Sequence, residues 1–163
     1  MVVFYEKEKT ITMQKIIPFL WFDDNAEEAI QFYTTVFKHG KIKTESRIGP
    51  DNKLMTATFE IEGQVFQVLN GGPMFTFSPA ISFFVNCDTQ EEIDELWEKL
   101  SEGGEQQRCG WLKDKFGVSW QIVPPILGSL LNAPDKTKAN QVMQAMLQMN
   151  KIDIMGLINA FES

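Results

Sequence analysis

Two stretches of this chain, GQVFQVLNG (63–71) and GVSWQIVPP (117–125), follow one grammar: glycine, two spacers, an aromatic, a glutamine, then two aliphatics. A chain that writes a segment twice is built from two copies of one structural unit. The segments DDNAEEAIQFYTTVFKHG (23–40) and DTQEEIDELWEKLSEGG (88–104) repeat the pattern upstream. Asp24, Glu27, Glu28, Tyr33 and Gly40 reappear as Asp88, Glu91, Glu92, Trp97 and Gly104, each displaced by 64 residues. The glutamine segments are displaced by 54, so the second copy lacks ten residues in its middle.

Each copy reads as β-α-β-β-β. IIPFLWF (16–22) is a continuous apolar run that predicts a buried strand. In the helix that follows, Ala26, Ala29, Ile30, Tyr33 and Phe37 share one face. Asp24 with Glu27 predicts an acidic capping box, and Gly40 a stop. KIKTESRIG and LMTATFEI predict strands around the turn GPDN (49–52), and EG (62–63) turns tightly into QVFQVLN. The pattern restarts at AISFFVN (80–86), and Ile93, Leu96, Trp97 and Leu100 mark the buried face of its helix. The expected organisation is an N-terminal extension (1–13), a first module (14–73), a second module (74–128) and a helical segment (129–163). That last segment, with Ala139, Val142, Met146 and Met149 on one face, predicts one or two helices. Their wide apolar face packs on the body of the chain or forms a dimer contact.

Acidic balance narrows the partners. A net charge of −7 without a basic stripe argues against nucleic acid. Acidic runs at helix starts need no ligand, because the helix dipole favours them. No apolar run reaches the roughly 18 residues of a membrane span, and residues 1–12 lack the apolar core of a signal peptide. Met13 is an alternative start. Cys87 and Cys109 read as free thiols of a cytoplasmic protein.

Paired β-α-β-β-β units carrying EEAIQFYTTVF early and GWLKDKFGVSWQIVP late resemble the vicinal oxygen chelate superfamily. That group includes glyoxalase I, extradiol dioxygenases and proteins that sequester bleomycin or fosfomycin. The resemblance is greatest to its PhnB-like branch, which often carries a demethylubiquinone methyltransferase label. It implies an α+β fold in which two curled mixed sheets form a ligand cup, and a homodimer. It also implies a divalent metal held from the first and last strands of each module. Carried onto this chain, those positions are roughly Ile17, Gln67, Ala80 and Gln121. Ile17 and Ala80 bear no donor atoms, and amide oxygens are weak substitutes for carboxylate, imidazole or thiolate. His39, the only histidine, lies far along the chain from all four. The expectation is therefore a site with neither metal nor other cofactor. Methyl transfer from adenosylmethionine is disfavoured too, since GG at 71–72 and 103–104 never extends to a nucleotide-binding glycine loop.

Strand alternation then defines a site. If Phe66, Val68, Trp120 and Ile122 pack on the helices, Gln67 and Gln121 turn into the cup. Phe19, Trp21, Val65, Leu69, Phe84 and Val123 join them, with the hydroxyls of Ser82 and Ser119. An apolar cavity with a few amides and hydroxyls suits a small, partly planar molecule. The bland alternative is that the glutamines only satisfy one another or the backbone. Glutamine does not titrate, so any proton carrier must come from RCGWLKDKFG (108–117), where Arg108, Cys109, Lys113 and Asp114 are expected near the cup mouth. Arg108 suits an anionic group. The expected function is small-molecule binding. The alternatives are a metal-dependent lyase or isomerase of the superfamily, or the methyltransferase of the label.

Overall fold

The computed structural model describes residues 14–163; the expected extension at 1–13 lies outside them. The first unit runs β1 (Phe19–Phe22), α1 (Ala26–Val36), β2 (Lys41–Ile48), β3 (Lys53–Ile61) and β4 (Gln64–Asn70). The second runs β5 (Ser82–Asn86), α2 (Gln90–Ser101), β6 (Glu105–Gln106), β7 (Trp111–Lys113) and β8 (Ser119–Val123). Three helices follow: α3 (Pro125–Leu131), α4 (Lys136–Leu147) and α5 (Ile154–Glu162).

Both units form four-stranded mixed sheets of the same order, β1-β4-β3-β2 and β5-β8-β7-β6. In each, the first strand runs parallel to the last, as a helical crossover requires, and the remaining pairs are antiparallel. The ten missing residues come out of β6 and β7, which are two and three residues long against eight and nine in β2 and β3. The offset is not uniform. Phe19 pairs with Gln67 and Phe84 with Gln121, so the leading strands are related by 65 residues and the helices by 64. One residue is missing from the turn between β5 and α2.

The sheets do not close on one another. They share one core instead, because each turns its helix-bearing face toward the other. Phe22, Phe59, Phe66 and Val68 of the first sheet belong to one buried cluster with Ile30 and Tyr33 of α1, Leu96 and Trp97 of α2, and Trp120 and Ile122 of β8. Aromatic contacts cross the seam: Phe66 to Phe83 at 5.0 Å, Tyr33 to Trp120 at 5.5 Å and Phe22 to Phe116 at 6.4 Å between ring centroids. Contacts of this kind add to the area buried. A second cluster, built on Val123, Leu127, Val142, Ile152 and Leu157, fastens the C-terminal helices to the end of β8. The backbone N–H groups of Cys109 and Gly110 donate to the carbonyls of Met149 and Asn150, completing that attachment.

Four expectations are corrected. The apolar run 16–22 is not buried throughout: Ile16 and Phe19 face solvent, and only the alternate residues Leu20 and Phe22 enter the core. The capping box at Asp24 and Glu27 does not form. Asn25 is the N-cap without a side-chain bond, the Ala26 N–H donates to Asn70 Oδ1 at 2.9 Å, and Glu27 pairs with Arg47. In the second unit the cap is Thr89, which accepts from the Glu92 N–H, one residue after the position marked by Asp88. Three helices rather than one or two end the chain: the additional one, α3, is short and opens on Pro125, whose fixed φ and missing N–H suit a first turn.

Candidate functional site

Strand alternation holds on both sheets. With Phe66, Val68, Trp120 and Ile122 in the core, the opposite face of the first sheet carries Phe19, Trp21, Gln67 and Leu69. Thr56 and Thr58 stand opposite Leu69 and Gln67 on β3. On the second sheet the corresponding face carries Ser82, Phe84, Ser119, Gln121 and Val123, with Trp111 opposite Gln121. Phe19 and Phe84, each 54% exposed, occupy equivalent places beside the two glutamines.

These faces point away from the shared core, so one chain does not bring Gln67 and Gln121 over a common cavity. Within a single chain the expected enclosed cup is not formed: Phe19, Gln67 and Phe84 are exposed, while Ser119 and Val123 are buried. A cleft of about 500 Å³ lies instead on the helix side, between the end of α1, α2, the β3–β4 turn and β5. Ser82 and Phe84 reach it, whereas Trp21 and the two glutamines do not line it.

The glutamines also differ in their bonding. Gln121 Nε2 donates to Ser82 Oγ at 2.9 Å, which fixes both side chains. Gln67 is exposed, and among the described residues its amide has no hydrogen-bond partner. On the first face Lys41 and Lys43 share one carboxylate, Glu60, at 2.9 and 2.6 Å. Those bonds hold the Glu60 carboxyl below its usual range, Lys43 contributing most.

The segment 108–117 divides: Trp111 and Lys113 stand opposite Gln121 and Ser119 on the second face, while Arg108, Cys109 and Asp114 are engaged elsewhere. Arg108 Nη1 donates to the Leu147 carbonyl, so this side chain is committed to α4. Cys109 sits at φ 60° with its thiol 3.7 Å from the Met146 carbonyl. Asp114 is 2% exposed and lies in the core. Its Oδ2 accepts from Tyr33 Oη at 2.7 Å and Trp120 Nε1 at 2.8 Å, and its Oδ1 from the Phe116 and Val118 N–H groups at 2.9 and 3.0 Å. This carboxyl is a tie between the modules, since Tyr33 belongs to the first and Asp114 to the second. Burial raises its pKa against the opposing effect of those four bonds, and burial pushes the Tyr33 hydroxyl well above the usual phenol range. Burial also pushes the Cys87 thiol up to about 12; a neutral buried thiol is unreactive.

A divalent ion does not fit the corner positions. Gln67 and Gln121 offer neutral amides, and the register replaces Ala80, which lies in the turn before β5, with Ser82 as the counterpart of Ile17. Among the described residues no group of three or more His, Cys, Asp or Glu is placed to hold a metal ion.

Two mixed sheets, each built from a β-α-β-β-β unit, define a vicinal oxygen chelate fold. Within that class the chain belongs to the family described as 3-demethylubiquinone-9 3-methyltransferase, which matches residues 14–123. The PhnB protein of Bacillus cereus, which bears the same methyltransferase description, is 38% identical; the match covers 68% of this chain and 99% of that one, with a TM-score of 0.64. Protein PA1353 of Pseudomonas aeruginosa is 24% identical over 68% of this chain and 96% of its own, with a TM-score of 0.57. The fosfomycin resistance protein FosX of Listeria monocytogenes shares the fold at 17% identity, over 76% and 99% of the two chains, with a TM-score of 0.54. No curated protein matches. Among the described residues, no helix is long and apolar enough to cross a membrane.

Proposed function

We propose that this protein binds a small, partly aromatic molecule on the sheet faces that carry Gln67 and Gln121, and that a second copy of the chain closes each open face into a cup. The observation that carries this reading is the exposure of Phe19 and Phe84 beside those glutamines, on stretches of the two faces that no described element covers. Covering the exposed half of one such phenylalanine returns roughly 2 kcal/mol. A surface of aromatics, amides and hydroxyls has the composition of a small-molecule site. It offers hydrogen bonds for orientation, and its ionisable groups are engaged with one another, Lys41 and Lys43 with Glu60 and Lys113 with Glu105. Binding is therefore the reading, rather than catalysis.

A melting-temperature screen of the purified protein against aromatic metabolites tests this. A true ligand raises the melting temperature, by an amount corresponding to about 2.7 kcal/mol at a hundredfold excess over Kd. Gln67→Ala is expected to weaken that ligand and leave the unliganded melting temperature unchanged, because the side chain is exposed. Strong destabilisation by Gln67→Ala, with no ligand in the screen, would assign the amide a purely structural role. A shift with adenosylmethionine would instead favour the methyltransferase description.

A further inference from the structure

Deepening the binding reading, on which it rests, we infer that the loop after β4 supplies the ligand's recognition wall: Phe75, with Trp21, forms a fixed aromatic corner that selects a neutral, hydroxylated planar ring. Trp21 is held from two sides. Its Nε1 donates to the Gly72 carbonyl at 2.8 Å, so the indole has no donor left for the cup. Its ring also lies flat against Gly71, where an added Cβ would come within 2.3 Å of the six-membered ring. One face of the indole is thereby sealed by backbone.

Phe75 meets Trp21 at a centroid distance of 5.0 Å and an interplanar angle of 80°, the edge-to-face arrangement favoured by ring quadrupoles. Phe75 remains 58% exposed, and Met74 beside it is still more open. Phe19 lies two residues from Trp21 on the same face, with Gln67 directly across the ladder from it. A flat ring placed here stacks on an immobile indole, abuts Phe75, and reaches the Gln67 amide, which has no partner among the described residues and can both donate and accept. A hydroxyl on the ring satisfies that amide. A carboxylate does not suit the place, because the lysines of this face, Lys41 and Lys43, gather on Glu60 at the Val65 level of the ladder, four residues along β4 from the Leu69 that pairs with Trp21, and a charge without a partner resists desolvation.

Calorimetric titration with 1-naphthol and 1-naphthoate tests the inference in wild type and in Phe75→Ala and Phe75→Leu. Phe75 is exposed, so both variants are expected to fold, which their melting temperatures verify. The expected result is that naphthol binds, that naphthoate binds at least about tenfold more weakly, and that both variants weaken naphthol about fivefold. Naphthol affinity unchanged in both variants, or equal affinity for naphthoate, would overturn the aromatic corner while leaving the cup as a ligand site. A screen that finds another ligand dependent on Gln67 while naphthol fails to bind would do the same. Failure of every compound would overturn the corner and the binding reading together.

Discussion

Asp114→Ala is expected to lower the stability of the fold by about 4 kcal/mol, with Asp114→Asn costing roughly half as much. The carboxylate receives four hydrogen bonds, from Tyr33 Oη, Trp120 Nε1 and two backbone N–H groups. Alanine leaves all four donors without an acceptor in a dry core; asparagine retains one carbonyl oxygen. A few kcal/mol is a large share of the 5–15 kcal/mol typical of a domain. Denaturant unfolding of the two variants measures the loss, and an alanine variant within about 0.5 kcal/mol of wild type would remove Asp114 from its place as the tie between modules.

The same residue gives a signed pH dependence. Burial places the folded pKa of Asp114 above its unfolded value. The folded state then binds the proton more tightly, so this group's contribution to stability falls as pH rises from about 4 through the folded pKa, and is flat above it. Asparagine cannot titrate. The advantage of wild type over Asp114→Asn should therefore shrink as pH rises through that window. A difference that grows with pH would contradict the burial argument.

Gly104→Ala carries the second large effect, a loss of about 3 kcal/mol. A Cβ at this position would stand 2.1 Å from the Lys113 carbonyl oxygen and 2.9 Å from Asp114 Cα. Both are backbone atoms, so relief requires moving β7 and, with it, the Asp114 carboxylate. Gly128→Ala is the control. It lies in α3 with open space where its Cβ would go, and it is expected to gain about 0.5–1 kcal/mol from helix propensity. Guanidinium midpoints of the two variants should move in opposite directions. Equal midpoints would mean that the approach of Gly104 to β7 is looser than the geometry states.

Gly104 was legible in the sequence as a landmark of the duplication, though for a different reason. Its match to Gly40 marked a helix stop, whereas the structure shows a close approach of backbones at each position. The two-module architecture and the facing of Gln67 and Gln121 followed from alternation and repetition, which are local properties. Exposure did not follow. Phe19 and Phe84 sit in apolar runs that look like core strands, and only the packing of the two helix-bearing faces against one another leaves them in water.

Asp114 shows the converse. Between Lys113 and Lys115 it reads as a residue near the cup mouth, and its burial depends on Tyr33, 81 residues away in sequence. The Asn70 cap on α1 is likewise a long-range contact that competes successfully with a local capping pattern. Phe75 escaped attention because its loop has no period to read.

The central claim is that the faces bearing Gln67 and Gln121, open in one chain, are covered by a second copy. Sedimentation equilibrium at micromolar concentration measures this most directly, with wild type beside Thr58→Arg, which places a charge opposite Gln67 on the open face. The account predicts twice the chain mass for wild type and a shift toward the single-chain mass for the variant. A wild-type protein that stays at the single-chain mass, or a dimer indifferent to arginine at that position, would contradict it.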